Sequence, residues 1–363
     1  MSMADELRDL MLVPGLAGHE GRVRRAIRER LPEPLRAESR TDRMGNLVAT
    51  LPGDETLPTI MLFTHMDQLG FVVRAVTDDG FLALERLGGV PERALAAQPV
   101  LVCGPRDVAG VIAVKSHHAT APDEKYRVTP YRELHVDIGA RSRAEVAELG
   151  VRVGDPVVYE PAHRTLAGGR VAGTSVDDRA GCAVLLDVAR RLGGVARRPT
   201  VHVVFAVQEE FNLRGAVVAA KALRPAIAIQ IDLLLAGDTP DMAGVTDVRL
   251  GEGPGISLYS FHGRGTLNGL VPHPALPPLF ERAATAAGVF LQRSAQTGVL
   301  TETSYVQLVG EGVACIDVGF PCRHTHSANE MCDLSDLEAL ADLLVAALPM
   351  VDADFSLDRD DYP

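Results

Sequence analysis

The chain has no tryptophan, and aromatic residues make up only 4 % of it. Few rings are therefore on hand as stacking platforms for sugars, which weighs against carbohydrate hydrolysis even though paired carboxylates are present. Cysteine is also scarce. The five cysteines, Cys103, Cys182, Cys315, Cys322 and Cys332, are odd in number and form no C-x-x-C pair. Neither a disulfide framework nor a thiolate zinc site is indicated, and Cys182 and Cys315 sit in apolar runs as small core residues. No apolar run approaches the roughly 18 residues that cross a bilayer. Lysine and arginine do not cluster, and the net charge is −12, so nucleic acid is not an expected partner. The opening residues, MSMADELRDLM, lack a basic region followed by an apolar stretch. They are not read as a signal peptide, and a cytoplasmic location is expected.

What is present is an ordinary globular composition, 47 % hydrophobic and 23 % charged, over 363 residues. That length suits two domains. Short apolar runs at Pro58–Phe63, Val201–Val207 and Ile227–Ile231 read as buried strands, the last ending at Asp232. Ala180–Leu192 and Leu213–Leu223 carry apolar residues at helical spacing. Near the end, Ser335 and Glu338 form a capping box before Leu337, Leu340, Leu344 and Leu348, and Pro349 stops that helix. This is an α/β pattern. Between about Gly70 and Ala167 it gives way to short strands separated by Gly and Pro, including a hairpin around TDDG, with Ser142–Leu149 as a two-turn helix. A small β-barrel inserted into the α/β domain accounts for the break. The catalytic domain is then discontinuous, 1–69 and 168–363, around an insertion at 70–167. The final DADFSLDRDDYP is expected to be a loose tail.

The chemistry-bearing residues gather where these strands end. His65 and Asp67 follow the first strand, Glu209 and Glu210 the second, and Asp232 the third, while Asp177 and Asp178 precede a helix and His326 follows VACIDV. Ligands in open α/β sheets collect outside the carboxyl ends of strands. Imidazoles mixed with carboxylates suit zinc-like ions. One Asp can bridge two such ions, and three ligand carboxylates against two divalent cations leave a site charge of about +1, which acidifies water and polarises a carbonyl. The adjacent Glu209 and Glu210 can divide the work between general base and ligand if their side chains diverge. The other nine histidines, His117 and His118 among them, read as surface residues.

The segments LVPGLAGHEGRVR, FTHMDQLGFVV, HVDIGA, VDDRAGCAVLLD, VQEEFNLRGA, DLLLAGDTP and RHTHSANEMCDLSDLE occur in order along the chain. Together they resemble the TET or FrvX-like dinuclear-metal aminopeptidases, a family that includes glutamyl aminopeptidases and proteins once labelled endoglucanases. The resemblance covers nearly the whole chain. It implies a zinc-peptidase-like three-layer α/β domain with an inserted β-barrel used in dimerisation, and assembly at least to a homodimer, with a dodecamer as the family-level expectation. It implies two divalent ions per subunit, zinc or cobalt, with manganese as a further choice. One ion is held by His65 and Asp232, the other by Glu210 and His326, and Asp177 bridges them. Glu209 matches the general base, and Asp67 the carboxylate that orients His65. The peptide after the bridging Asp is expected to be cis. The activity implied is hydrolysis of N-terminal residues from peptides.

The sequence departs from the family pattern in places. Asn212 stands in VQEEFNLRGA where the family has Gly, and Asn tolerates left-handed backbone. The family's G-T-D-A appears as LTETSYV, which makes Glu302 the candidate contact for a substrate's α-amino group, with Ser304 and Tyr305 crowding the pocket. Arg323 replaces part of another pocket motif, and Phe261–Pro278 is divergent. A related amidase or deacylase acting on a small non-peptide amide is the alternative enzyme reading. A non-catalytic scaffold would have no use for Glu209 beside Glu210.

Overall fold

The computed structural model describes residues 1–195, 198–263 and 268–362. Four strands carry the molecule: β1 at Leu47–Leu51, antiparallel to its neighbour, β2 at Ile60–His65, β3 at Val201–Ala206 and β4 at Ile227–Leu235. A fifth, β5 at Ala314–Cys322, follows them in the chain. Among the described residues they belong to one nine-stranded sheet in the spatial order β1, β3, β2, β4, β5, with Gly255–Phe261 beyond β5. The pairs β3–β2, β2–β4 and β4–β5 are parallel. Every residue of β2 and β5 is buried, as expected of strands covered on both faces.

The helix α1, Val176–Leu192, is apolar almost all round and nearly wholly buried, because it lies on the sheet with the helix α3, Leu334–Ala347, and the helix Met3–Met11 packed against it. The helix α2, Gly215–Leu223, packs on the opposite side of the sheet through Ala216, Ala219 and Ala220. This gives three layers.

The strands Gly70–Val76, Leu82–Leu87, His135–Asp137, Asp107–Ile112, Pro99–Cys103 and Pro156–Tyr159 close in that order into a barrel. It has its own apolar core, built on Phe71, Leu82, Val102, Ile112, Val136 and Val157. The TDDG hairpin is present, with the Phe81 amide bonded to Thr77. Ser142 caps the Arg143–Glu148 helix. The chain leaves the barrel through a small three-stranded sheet in which Arg170–Gly173 pairs with β6, Glu330–Asp333. Among the described residues no helix is long and apolar enough to cross a membrane.

Several local expectations need correcting. The strand β4 does not end at Ile231 but runs on to Leu235, because pairing with β5 continues to Leu235 opposite Cys322. Asp232 therefore projects from within a strand. The cap of α3 is Asp333, whose Oδ1 accepts from the Ser335 amide at 3.0 Å and its hydroxyl at 2.7 Å; Ser335 is the donor, not the cap. The acidic tail is not loose, since Phe355 and Leu357 pack on the main core and the Tyr362 hydroxyl bonds the Ser356 carbonyl. Asn212 does take the left-handed conformation, at φ 68°. Part of the divergent Phe261–Pro278 segment, residues 264–267, lies outside the described residues.

Candidate metal centre

The parallel register sets the site. Ala206 of β3 lies opposite His65 at the end of β2, so Glu209 and Glu210 emerge just past the His65 level. On the other side Gln230 of β4 lies opposite Phe63, which carries Asp232, two residues on, to that same level. Asp177 and Asp178 stand at the start of α1, and the peptide between them is cis. His326 sits in the loop between β5 and β6 with φ 64°.

Two groups of potential ligand atoms result, each with all its atoms within 4.8 Å of one another: His65, Asp177 and Asp232, and Asp177, Glu210 and His326. Asp177 belongs to both. Its Oδ1 lies 2.9 Å from His65 Nε2 and its Oδ2 lies 3.6 Å from His326 Nε2. His326 Nε2 is in turn 3.8 Å from Glu210 Oε1, and that oxygen is buried without a hydrogen-bond partner. Imidazole nitrogens and carboxylate oxygens at such spacing fit divalent transition ions.

The electrostatics point the same way. Burial raises Asp232 to about 8 and Glu210 to about 7, and pushes Glu209 well above the carboxylate range. Burial opposes charge on His65 most strongly, but Asp177, Asp67 and Glu209 together outweigh it and the ring's pKa is raised. His326 rises to about 9, burial being outweighed by the Glu210 and Asp177 charges. Carboxylates crowded in a dry site repel one another and hold protons. A bound cation removes that repulsion.

The surroundings fix these groups. Asp67 is fully buried, and its two oxygens accept the backbone N–H groups of Glu209 at 3.0 Å and Glu210 at 3.1 Å. Its Oδ1 lies 3.6 Å from His65 Nδ1, longer than a hydrogen bond. Its firmest hold is thus on the Glu209–Glu210 backbone. The neighbouring amide, Gln208, donates to Glu20 at 3.2 Å. Asp232 accepts from Gln230 Nε2 at 2.9 Å, Gln230 accepts from the Thr303 amide at 3.0 Å, and the Thr303 hydroxyl donates to Asp317 at 2.6 Å. The His326 ring is oriented from the barrel side, its Nδ1 lying 3.0 Å from the Gly89 carbonyl. A Cβ added at Gly89 would stand 2.8 Å from that nitrogen. Asp178 accepts from Thr64 and from the Gly181 amide, capping the regular part of α1.

Two candidates are differently placed. Glu302 has no exposed surface. Its Oε1 accepts the Ala216 amide at 2.6 Å at the start of α2, and Oε2 has no partner. Arg323 forms an ion pair with Asp238. Ser304 turns its hydroxyl onto the Thr301 carbonyl at 2.7 Å.

Sequence reasoning missed Glu330, Glu20, Gly89 and the Gln230–Thr303–Asp317 chain. Glu330 offered one signal, a charge opening a strand that proves to be buried. The others act through hydrogen bonds to residues remote in the chain, and sequence spacing gives no sign of that.

A sequence model of M42 glutamyl aminopeptidases matches residues 45–343. The Escherichia coli protein named "Putative aminopeptidase SgcX" is 36 % identical over 99 % of this chain and 96 % of its own. Among solved structures, a TET aminopeptidase from a marine-sediment Thaumarchaeota archaeon is 30 % identical, with a TM-score of 0.90 over 97 % of this chain and 98 % of that one. The TET1 peptidase of Pyrococcus horikoshii, which can assemble into a tetrahedron or a large octahedral shell, is 29 % identical with a TM-score of 0.84 over 96 % and 99 %.

Proposed function

Because the chain belongs to the M42 glutamyl aminopeptidase family, and is therefore a peptidase of the aminopeptidase type, we propose that it works through two divalent ions per subunit, zinc or cobalt. His65 and Asp232 would hold one, Glu210 and His326 the other, with Asp177 shared. The observation that carries this reading is the split of the Asp177 carboxylate, one oxygen facing His65 and the other His326. Divalent ions bound there supply the Lewis acidity that polarises a carbonyl and lowers the pKa of water.

The chain's own residues do the rest. Glu209 takes a proton from the attacking water at its carboxylate and returns it to the departing amine. Asp67 keeps Glu209 and Glu210 apart in role by holding their consecutive amides. Glu302 is read as a helix cap rather than an amine contact, because its Oε1 accepts the Ala216 amide and the side chain is buried. The Arg323 guanidinium is likewise neutralised by Asp238 and is not assigned to substrate.

Assembly through the 70–167 unit belongs to the same proposal. It is supported by exposed Val111, Val114, Tyr126 and Val128 on that unit and by the shells of the Pyrococcus relative. A homodimer is the minimum expected from light scattering, and a lasting monomer at micromolar concentration would contradict it. A cytoplasmic location is proposed too, supported by five unpaired cysteines.

Metal analysis of the purified protein coupled to a substrate panel tests the whole. Two ions per chain, with cleavage of aminoacyl-anilides and poor cleavage of N-acetylated peptides, is the expected result. Efficient turnover of N-acyl amino acids would favour a deacylase instead.

A further inference from the structure

Glu330 stands at the start of β6, opposite Gly173, with 3 % of its surface exposed. That register lays it beside the Thr174–Asp177 segment that leads into α1. Its Oε2 accepts the Asp177 amide at 3.0 Å, and its Oε1 accepts the His326 amide at 2.7 Å. Among the described residues no Lys or Arg pairs with it. It is therefore a buried carboxylate whose hydrogen bonds run to the backbones of two candidate ligands from different parts of the fold.

Both backbones need holding. Asp177 opens α1 with non-helical angles, φ −75° and ψ 106°, and must direct its two oxygens to different histidines. His326 is left-handed at φ 64°, a region unfavourable for any residue with a Cβ unless its surroundings impose it. A charge-assisted amide–carboxylate bond of 2.7 Å is among the stronger restraints available. With both amides on one carboxylate, the Asp177 and His326 backbones cannot drift independently. His65 and Asp232 have no such dependence, because each lies within a paired strand.

We propose that Glu330 is a positioning residue for the Glu210–His326 metal position: it fixes His326 against Asp177, so that removing it weakens this position, where both held backbones supply ligands, more than the His65–Asp177–Asp232 position, where only Asp177 is affected. The proposal rests on the dinuclear reading above.

The test is metal binding by chelator-stripped full-length protein, titrated with Co²⁺ and followed by absorbance and calorimetry. Glu330→Gln keeps the size, but it has one acceptor oxygen and an NH₂ that cannot accept. The wild type is expected to take two ions per chain. Glu330→Gln should lose about tenfold to a hundredfold for the second ion and clearly less for the first, approaching the isotherm of His326→Ala. Excess Co²⁺ should restore its activity. Two ions bound with wild-type affinity by Glu330→Gln would overturn the proposal, as would equal weakening of both. Should Glu330→Gln fail to fold, Glu330→Asp, too short to reach both amides at once, is measured the same way. If neither folds, Glu330 is a folding residue and the proposal fails. A wild type that binds one ion or none defeats the dinuclear reading itself, and the proposal with it.

Discussion

The Asp67 carboxylate and the backbone of Glu209 are joined directly: Asp67 Oδ1 accepts the Glu209 amide at 3.0 Å, while Oδ2 takes the next amide, that of Glu210, at 3.1 Å. Two adjacent residues with opposite expected tasks are thus set by a single side chain from the loop that follows β2.

Asp67→Asn should disturb both. The asparagine offers one acceptor oxygen, so one buried amide is left facing an NH₂, at a cost of about 1–3 kcal/mol. The variant is expected to melt lower and to lose about tenfold or more in kcat/KM, since small displacements of reacting groups are costly. Thermal melts and steady-state kinetics check it. Wild-type kcat/KM in this variant would remove Asp67 from the machinery.

Glu209→Gln should leave the metal content unchanged and lower kcat by about a hundredfold or more. The side chain is buried and makes no hydrogen bond that the fold requires, so stability should change little. Near-normal turnover would show that the proton goes elsewhere.

Glu302→Ala removes the acceptor of an amide in the first turn of α2, and loss of such a cap costs about 0.5–2 kcal/mol. The expected signature is a lower melting temperature with KM for free-amine substrates within about twofold. Glu302→Gln, which keeps an acceptor oxygen, should melt nearly as the wild type. An unchanged melt with a tenfold higher KM would instead make Glu302 an amine contact.

The chelated protein should lose stability as pH rises. Burial lifts Glu210 to about 7 and Asp232 to about 8 in the folded chain, above the range these groups have when unfolded. Their contribution is complete at acid pH and disappears as pH climbs through those values. His326, raised to about 9 by the Glu210 and Asp177 charges against its burial, adds a loss in the same direction. The melting temperature of chelated protein should fall from about pH 4, where the unfolded carboxylates ionise, to about pH 9, and zinc should abolish the fall. A flat profile without metal would contradict this.

The sequence by itself marked out the parallel strands and the residues at their ends. Buried parallel strands must be continuous apolar runs, and the polar residues that interrupt them at their carboxyl ends stand out. His65, Asp67, Glu209 and Glu210 were legible for that reason, and the resemblance sorted Asp177, Asp232 and His326 among the ligands. The Gly-punctuated short strands of the barrel were legible through turn chemistry, and Asn212 through its tolerance of left-handed backbone. Only the tertiary structure decided that Asp232 lies inside a strand, because the extent of β4 is set by its pairing with β5. It also decided that Asp333 rather than Ser335 caps α3, and that the acidic tail folds back through Phe355 and Leu357. Glu302, Glu330 and Gly89 belong to the same class. Each acts on an amide or a ring far along the chain, and a hydrogen bond to a remote backbone group leaves no periodicity, spacing or composition in the residues that form it.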